Sequence, residues 1–160
     1  HRADGLPALR DFVMRKLYLG VVDIPYQPTD GREKGLPSTG DVAGWLEDEY
    51  GVMQSFVNLN EGAIAEKLAE SISNAMQDLL IGAPPGGDPL KEGFSNIEEE
   101  FKRYIESQQV EGQGLPGVPT KAALAGVNHR LKHPYAASNP RRPSFVDTGQ
   151  YVGAFKVWSD

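Results

Sequence analysis

The chain has no cysteine among its 160 residues. That excludes disulfide bonds and every zinc site built on thiolates. Long hydrophobic runs are missing too: stretches such as Tyr18 to Ile24 fall far short of the ~20 apolar residues that a membrane helix needs. The first residues do not have the charged-then-apolar layout of a secretion signal, so none is expected. Aromatic residues make up only 9% of the chain. Acidic residues are absent from one whole interval, Lys121 to Val146.

Hydrophobic residues amount to 39%, which at this length supplies the core of one domain, 1–160. Gly 18 and Pro 12 are high and predict long loops between helices. The net charge of -6 is unevenly spread. Residues 1–120 hold 10 Lys/Arg against 20 Asp/Glu, whereas residues 121–160 hold 6 against 2. A split of this kind suits two surfaces in different surroundings, or copies docking head to tail.

Periodicity predicts several helices. Leu6, Leu9, Val13 and Leu17 recur at helical spacing and suggest a helix over 6–17. Val21–Pro37, rich in proline and glycine, reads as an extended arm or loop. A short helix is expected over Asp41–Tyr50, capped by Ser38, Thr39 or Asp41. The strongest pattern is Glu61–Leu80, where Ile64, Leu68, Ile72 and Met76 form a stripe suited to a core or a subunit seam. Asn60 is its expected N-cap, and Gly82 with Pro84 and Pro85 ends it. Ser95 and Glu98 have capping-box spacing before Ile97, Phe101 and Ile105. Gln108–Pro119 reads as a linker. A last helix is predicted over Lys121–Lys132, with Leu124, Val127 and Leu131 inward. Pro134, Pro140 and Pro143 are expected to hold the following chain extended. In the segment 139–160, Asp147 or Thr148 caps a turn that brings Tyr151 and Phe155 together, and Phe155–Trp158 forms a strand. The expected class is α+β: several helices, long Gly/Pro-rich loops and a small C-terminal β element.

Three signals invite a chemical reading. Asp147-Thr148-Gly149 is the triplet of aspartic proteases, in which two such aspartates share a proton. The eleven residues after it leave no room for the flap and further β-structure those enzymes use. His129 and His133 stand at i, i+4, but a zinc protease needs Glu at position 130, where this chain has Arg. The basic run from His129 to His133, with Arg141 and Arg142, could meet phosphates. Only Tyr135 and Phe145 lie nearby for base stacking, so direct nucleic-acid binding is disfavoured. No catalytic, metal or cofactor site is expected.

The segment Asn139 to Trp158 resembles the C-terminal signature of small virion proteins of tailed bacteriophages, the virion-morphogenesis and tail-completion type. Pro143, Phe145, Val146, Asp147, Thr148, Gly149, Tyr151 and Phe155 carry the match, within a span from Pro119 to Trp158. The resemblance implies a structural subunit of a virion, assembled in the host cytoplasm as a ring at a tail end, either neck or baseplate. Its partners would be copies of itself and other tail, tube or neck proteins, with no membrane. The residues expected at protein interfaces are Arg130, Lys132, Arg141, Arg142, Tyr151, Phe155 and Trp158. Arg141 and Arg142 lie on no apolar stripe and are expected to serve docking rather than folding. The competing readings are a small dimeric aspartic protease and a bacterial adaptor or binding module.

Overall fold

A computed structural model of the chain describes residues 15–26, 35–83 and 87–160. It is helix-dominated α+β, with strand β1 at Leu17–Val21 and strand β2 at Phe155–Ser159 paired antiparallel in a two-stranded sheet. Between them come α1 (Thr39–Tyr50), α2 (Val52–Leu80), α3 (Lys91–Glu106), a 3-10 turn at Gln109–Gln113, α4 (Lys121–Leu124) and α5 (Gln150–Gly153).

Helix α1 begins as its sequence dictates. The Ser38 hydroxyl accepts from Asp41 N, and the Asp41 carboxylate accepts from Ser38 N, so two otherwise orphaned N–H groups satisfy each other's side chains. Gly51, at φ 61, ends α1 in the left-handed region and turns the chain straight into α2. The α2 start is capped from outside: Glu47 accepts from Met53 N at 2.7 Å and Gln54 N at 3.1 Å. The expected N-cap Asn60 lies inside the helix, where its amide donates to Phe56 O. Helix α2 therefore starts nine residues before Glu61 and runs for 29 residues, about 43 Å at 1.5 Å per residue.

Helix α3 returns antiparallel along α2. Gly93 packs against Lys67 O and Leu68, and a Cβ there would stand 3.2 Å from both, so glycine permits the close approach. Farther along, Tyr104 OH meets Ser55 Oγ at 2.8 Å. The start of α3 is also capped from elsewhere. Ser71 of α2 accepts from Gly93 N at 3.0 Å and donates to Pro89 O, while Asp88 accepts from Leu90 N. Ser95 is thus an interior residue of α3 rather than its cap.

The core is aromatic at its centre. Phe101 of α3 stacks on Phe155 of β2 at 3.9 Å and 16°, and Phe56 of α2 meets Phe101 edge-on at 5.2 Å. Ile97, Ile105, Val52 and Val110 close around them with no exposed surface. The apolar edge predicted for α3 is therefore core. The stripe on α2 is only partly so: Ile64 is buried and Leu68 and Ile72 are half-buried, but Met76, Leu79 and Leu80 are exposed where α2 overhangs α3.

Several expectations change. Leu17 opens a strand rather than closing a helix, and Leu6 to Val13 lie outside the described residues. In the arm expected over Val21–Pro37, Val21 ends β1, Pro25 bridges Ser38, and 27–34 lie outside the described residues. The stretch Gln108–Pro119 contains the 3-10 turn and the buried Val110. The helix expected to reach Lys132 stops at Leu124. Gly126, at φ 70, turns the chain there, and a Cβ on it would stand 2.5 Å from Asn139 O. Leu124 and Leu131 are consequently exposed, and the buried side chain is Ala123. Beyond it, Pro134 lies within successive turns (Asn128 N to Pro134 O, Ala136 N to His133 O, Asn139 N to Ala136 O), not in an extended run.

Candidate functional site

Most of the residues singled out by sequence fall in the C-terminal lobe, residues 109–153, which packs beside α1; Phe155 and Trp158 lie on β2. Its interior polar joint is built on Glu111. One carboxylate oxygen of Glu111 accepts from Ser144 N at 2.9 Å and from Ser144 Oγ at 2.8 Å, and the other pairs with Arg141. The Ser144 hydroxyl in turn accepts from Thr120 N at 3.1 Å. Ser144 has no exposed surface and the Glu111 side chain is 8% exposed, so the joint is desolvated on one side. Arg142 is half-buried and donates to Val127 O, Pro143 O and Val146 O. Phe145 takes φ 66 and packs against Tyr50 of α1 at 5.3 Å. A left-handed non-glycine costs ~1–2 kcal/mol, which the ring contact and the surrounding hydrogen bonds offset.

Asp147 does not stand free. Its carboxylate accepts from His129 N at 2.8 Å and meets His129 Nδ1 at 2.5 Å, and His129 Nε2 reaches Tyr135 OH at 2.9 Å. A carboxylate on Nδ1 fixes an imidazole's orientation, as in hydrolase triads. Here the group at Nε2 is a phenol on a residue 74% exposed. A cleft of about 370 Å³ opens on the other side of Asp147, lined by Tyr26, Leu46, Phe145, Thr148 and Tyr151 among others; His129 and Tyr135 take no part in it. The histidine pair and the cleft thus share Asp147, but the imidazole does not line the cleft. His133 is exposed in a turn and not on a shared helix face with His129. Among the described residues no group of three or more His, Asp or Glu could hold a metal ion, and no helix is long and apolar enough to cross a membrane.

The Gly of the triplet has a conformational role, since it takes a left-handed backbone. Gly149, at φ 82, precedes α5, and a Cβ there would run into the Arg130 guanidinium that lies over it. Arg130 itself is exposed, as is Lys132. Tyr151 and Phe155, expected on an interface, are core residues at 3% and 2% exposure, because α5 turns them against Phe101. The Tyr151 hydroxyl is buried and finds no hydrogen-bond partner among the described residues. Burial pushes its pKa well above the usual phenol value, with the Glu47 carboxylate adding to the effect. Trp158 is exposed on β2, where it stacks on Tyr18 at 5.9 Å and covers Gly20.

No family model matches the chain, and no curated protein or solved structure matches it either. The Glu111–Ser144 and His129–Asp147 pairs are not legible in the sequence, where Glu111 falls in the stretch that reads as a linker. Glu111 did leave a signal: it is the last acid before the acid-free tract that it serves.

Proposed function

We propose that the chain is a structural subunit of a tailed-phage virion, acting without catalysis and assembled as a ring at a tail end, neck or baseplate, by protein–protein contacts. The observation that carries this reading is the use of the Asp-Thr-Gly segment as architecture. Asp147 holds His129, Gly149 supplies the left-handed turn before α5, and Tyr151 and Phe155 fill the core. A protease reading needs two such aspartates facing each other with a water between them; this one is already bound by a backbone N–H and an imidazole. The exposed end of α2 supports adhesion as well. Leu80 and Ile81 are 83% and 81% exposed beside Met76 and Leu79, a contiguous apolar patch of the kind that marks protein contacts.

Electron microscopy and mass photometry of the purified chain, alone and mixed with tail, tube and neck proteins, test the reading. Closed rings, or incorporation at one end of a tail, are expected. A chain that remains a monomer under all these conditions and joins no tail structure overturns it.

A further inference from the structure

Among the described residues the sheet has an open edge with readable polarity. Val157 N points away from β1, because it donates to Glu98 of α3 at 3.1 Å. Leu19, its cross-strand partner, therefore occupies a non-hydrogen-bonded pair, and so do Leu17 and Val21, two residues to either side. Val22 N donates to Ala154 O at 2.8 Å and Lys16 N to Asp160 Oδ1 at 2.7 Å, which fixes the even-numbered residues as those that face β2. The N–H and C=O groups of Leu17, Leu19 and Val21 thus project from the outer edge of β1, and none of them meets a partner among the described residues. Natural edge strands are normally blunted by lysine, proline or a bulge. Residues 17–21, Leu-Tyr-Leu-Gly-Val, contain none of these. A two-stranded ribbon is also marginal by itself and gains from a third strand.

We propose that β1 pairs antiparallel with β1 of a second copy of this chain, about a two-fold axis at Leu19, to make a continuous four-stranded sheet. The strand carries its own complement. Its free groups lie at 17, 19 and 21, so Leu17 meets Val21 of the second copy and Leu19 meets its own equivalent. Charge is in keeping with the same arrangement: Lys16 precedes the strand, beside an Arg15 that pairs with Asp88, and Asp23, which accepts from Gly40 N, follows it. Antiparallel pairing puts the basic end beside the acidic end twice, whereas parallel pairing puts like beside like. Tyr18 and Trp158 of both copies then form one aromatic face on the exposed side of the sheet. This two-fold contact stands whether or not the chain also forms a ring.

The register makes the proposal testable by disulfide trapping in a chain that has no cysteine of its own. Lys16 comes opposite Val22 of the second copy in a non-hydrogen-bonded pair, with Cα atoms about 4.5 Å apart, inside the range a disulfide spans. Within one copy the two positions are six residues of strand apart, roughly 20 Å, and cannot close. The variant with both Lys16→Cys and Val22→Cys is oxidised mildly and run without reductant, beside each single variant and an equimolar mixture of the two singles. Circular dichroism checks that all remain folded. A covalent dimer is expected from the double variant and from the mixture, with each single staying at monomer mass. Folded protein that yields no dimer, singles that cross-link as readily as the double, or a ladder beyond the dimer each overturn the two-fold pairing. Because the trap reads only β1, its failure leaves the ring reading untouched, and a failure to form rings leaves the trap untouched.

Discussion

Replacing Glu111 with alanine tests whether the lobe that carries the Asp-Thr-Gly segment is held by one carboxylate. Glu111 satisfies Ser144 N and Ser144 Oγ and pairs with Arg141. The Ser144 hydroxyl can rotate to another acceptor, but its N–H is buried and cannot, and an unsatisfied buried donor costs ~1–3 kcal/mol. Arg141 is about half exposed, so its ion pair adds only ~0–1 kcal/mol. The expected loss for Glu111→Ala is therefore about 3 kcal/mol, a large part of the ~5–15 kcal/mol typical of a folded domain. At ~2–4 °C per kcal/mol for a chain of this size, the melting temperature should fall by roughly 6–12 °C. Glu111→Gln keeps an oxygen for Ser144 and gives up the ion pair, so it should cost about 1 kcal/mol. Arg141→Ala should cost no more than that. Differential scanning calorimetry of the three variants ranks them directly. If Glu111→Ala melts no lower than Arg141→Ala, the Ser144 interaction contributes little and the reasoning fails.

Tyr151→Phe should leave stability at neutral pH unchanged or raise it by ~1 kcal/mol, since it removes a buried hydroxyl with no partner; a loss above that size in urea unfolding would refute the orphaned hydroxyl. The same variant should resist alkali better. An unfolded phenol ionises near ~10, while burial raises the folded Tyr151 above that, so stability present below ~10 is lost as pH climbs through the window between the two values. Gly126→Ala forces a side chain against Asn139 O and Pro140 O at φ 70 and should cost at least about 2 kcal/mol, read from the urea midpoint. Asp147→Asn should change stability by only ~0–1 kcal/mol, since its pair with His129 is a third exposed. Peptide hydrolysis assayed from acid to neutral pH should be absent in wild type and variant alike; cleavage with an acid optimum that Asp147→Asn abolishes would restore the protease reading.

Local signals carried much of the helical architecture and little of what joins it. The α1 cap was legible only as a choice among Ser38, Thr39 and Asp41, of which Ser38 is the cap and Asp41 its reciprocal partner; the buried edge of α3 was legible because Ile97, Phe101 and Ile105 repeat every four. Strand β1 was not, because Leu17 also fits the helical spacing of Leu6, Leu9 and Val13, and the partner that makes it a strand lies at the far end of the chain. The starts of α2 and α3 misled for a related reason. Asn60 and Ser95 look like caps, but Glu47 serves α2 from the preceding helix, and Ser71 serves α3 from across the packed pair. A cap supplied by a residue many positions away removes the need for one at the helix's own first residue.

The acid-free tract shows how charge read along a sequence differs from charge placed in space. Lys121 to Val146 looked like one extended basic surface because nothing within it offsets the cations. The fold brings Glu111 back from upstream to Arg141, and it surrounds the Arg142 guanidinium with three backbone carbonyls, which need a donor as much as any carboxylate does. Arg142 is therefore a structural residue, whereas Arg141 pairs with Glu111 at the surface. Replacing Arg142 with glutamate would put a carboxylate among the three carbonyls its guanidinium now meets, so a loss of assembly on reversing both arginines would report the fold as well as docking. Of the four cations expected to dock, Arg130, Lys132 and Arg141 are exposed, Arg130 lying over Gly149 and Arg141 beside Glu111. Among the described residues the chain therefore offers a partner apolar surface beside these cations: the far end of α2, and the aromatic face and outer edge of its small sheet.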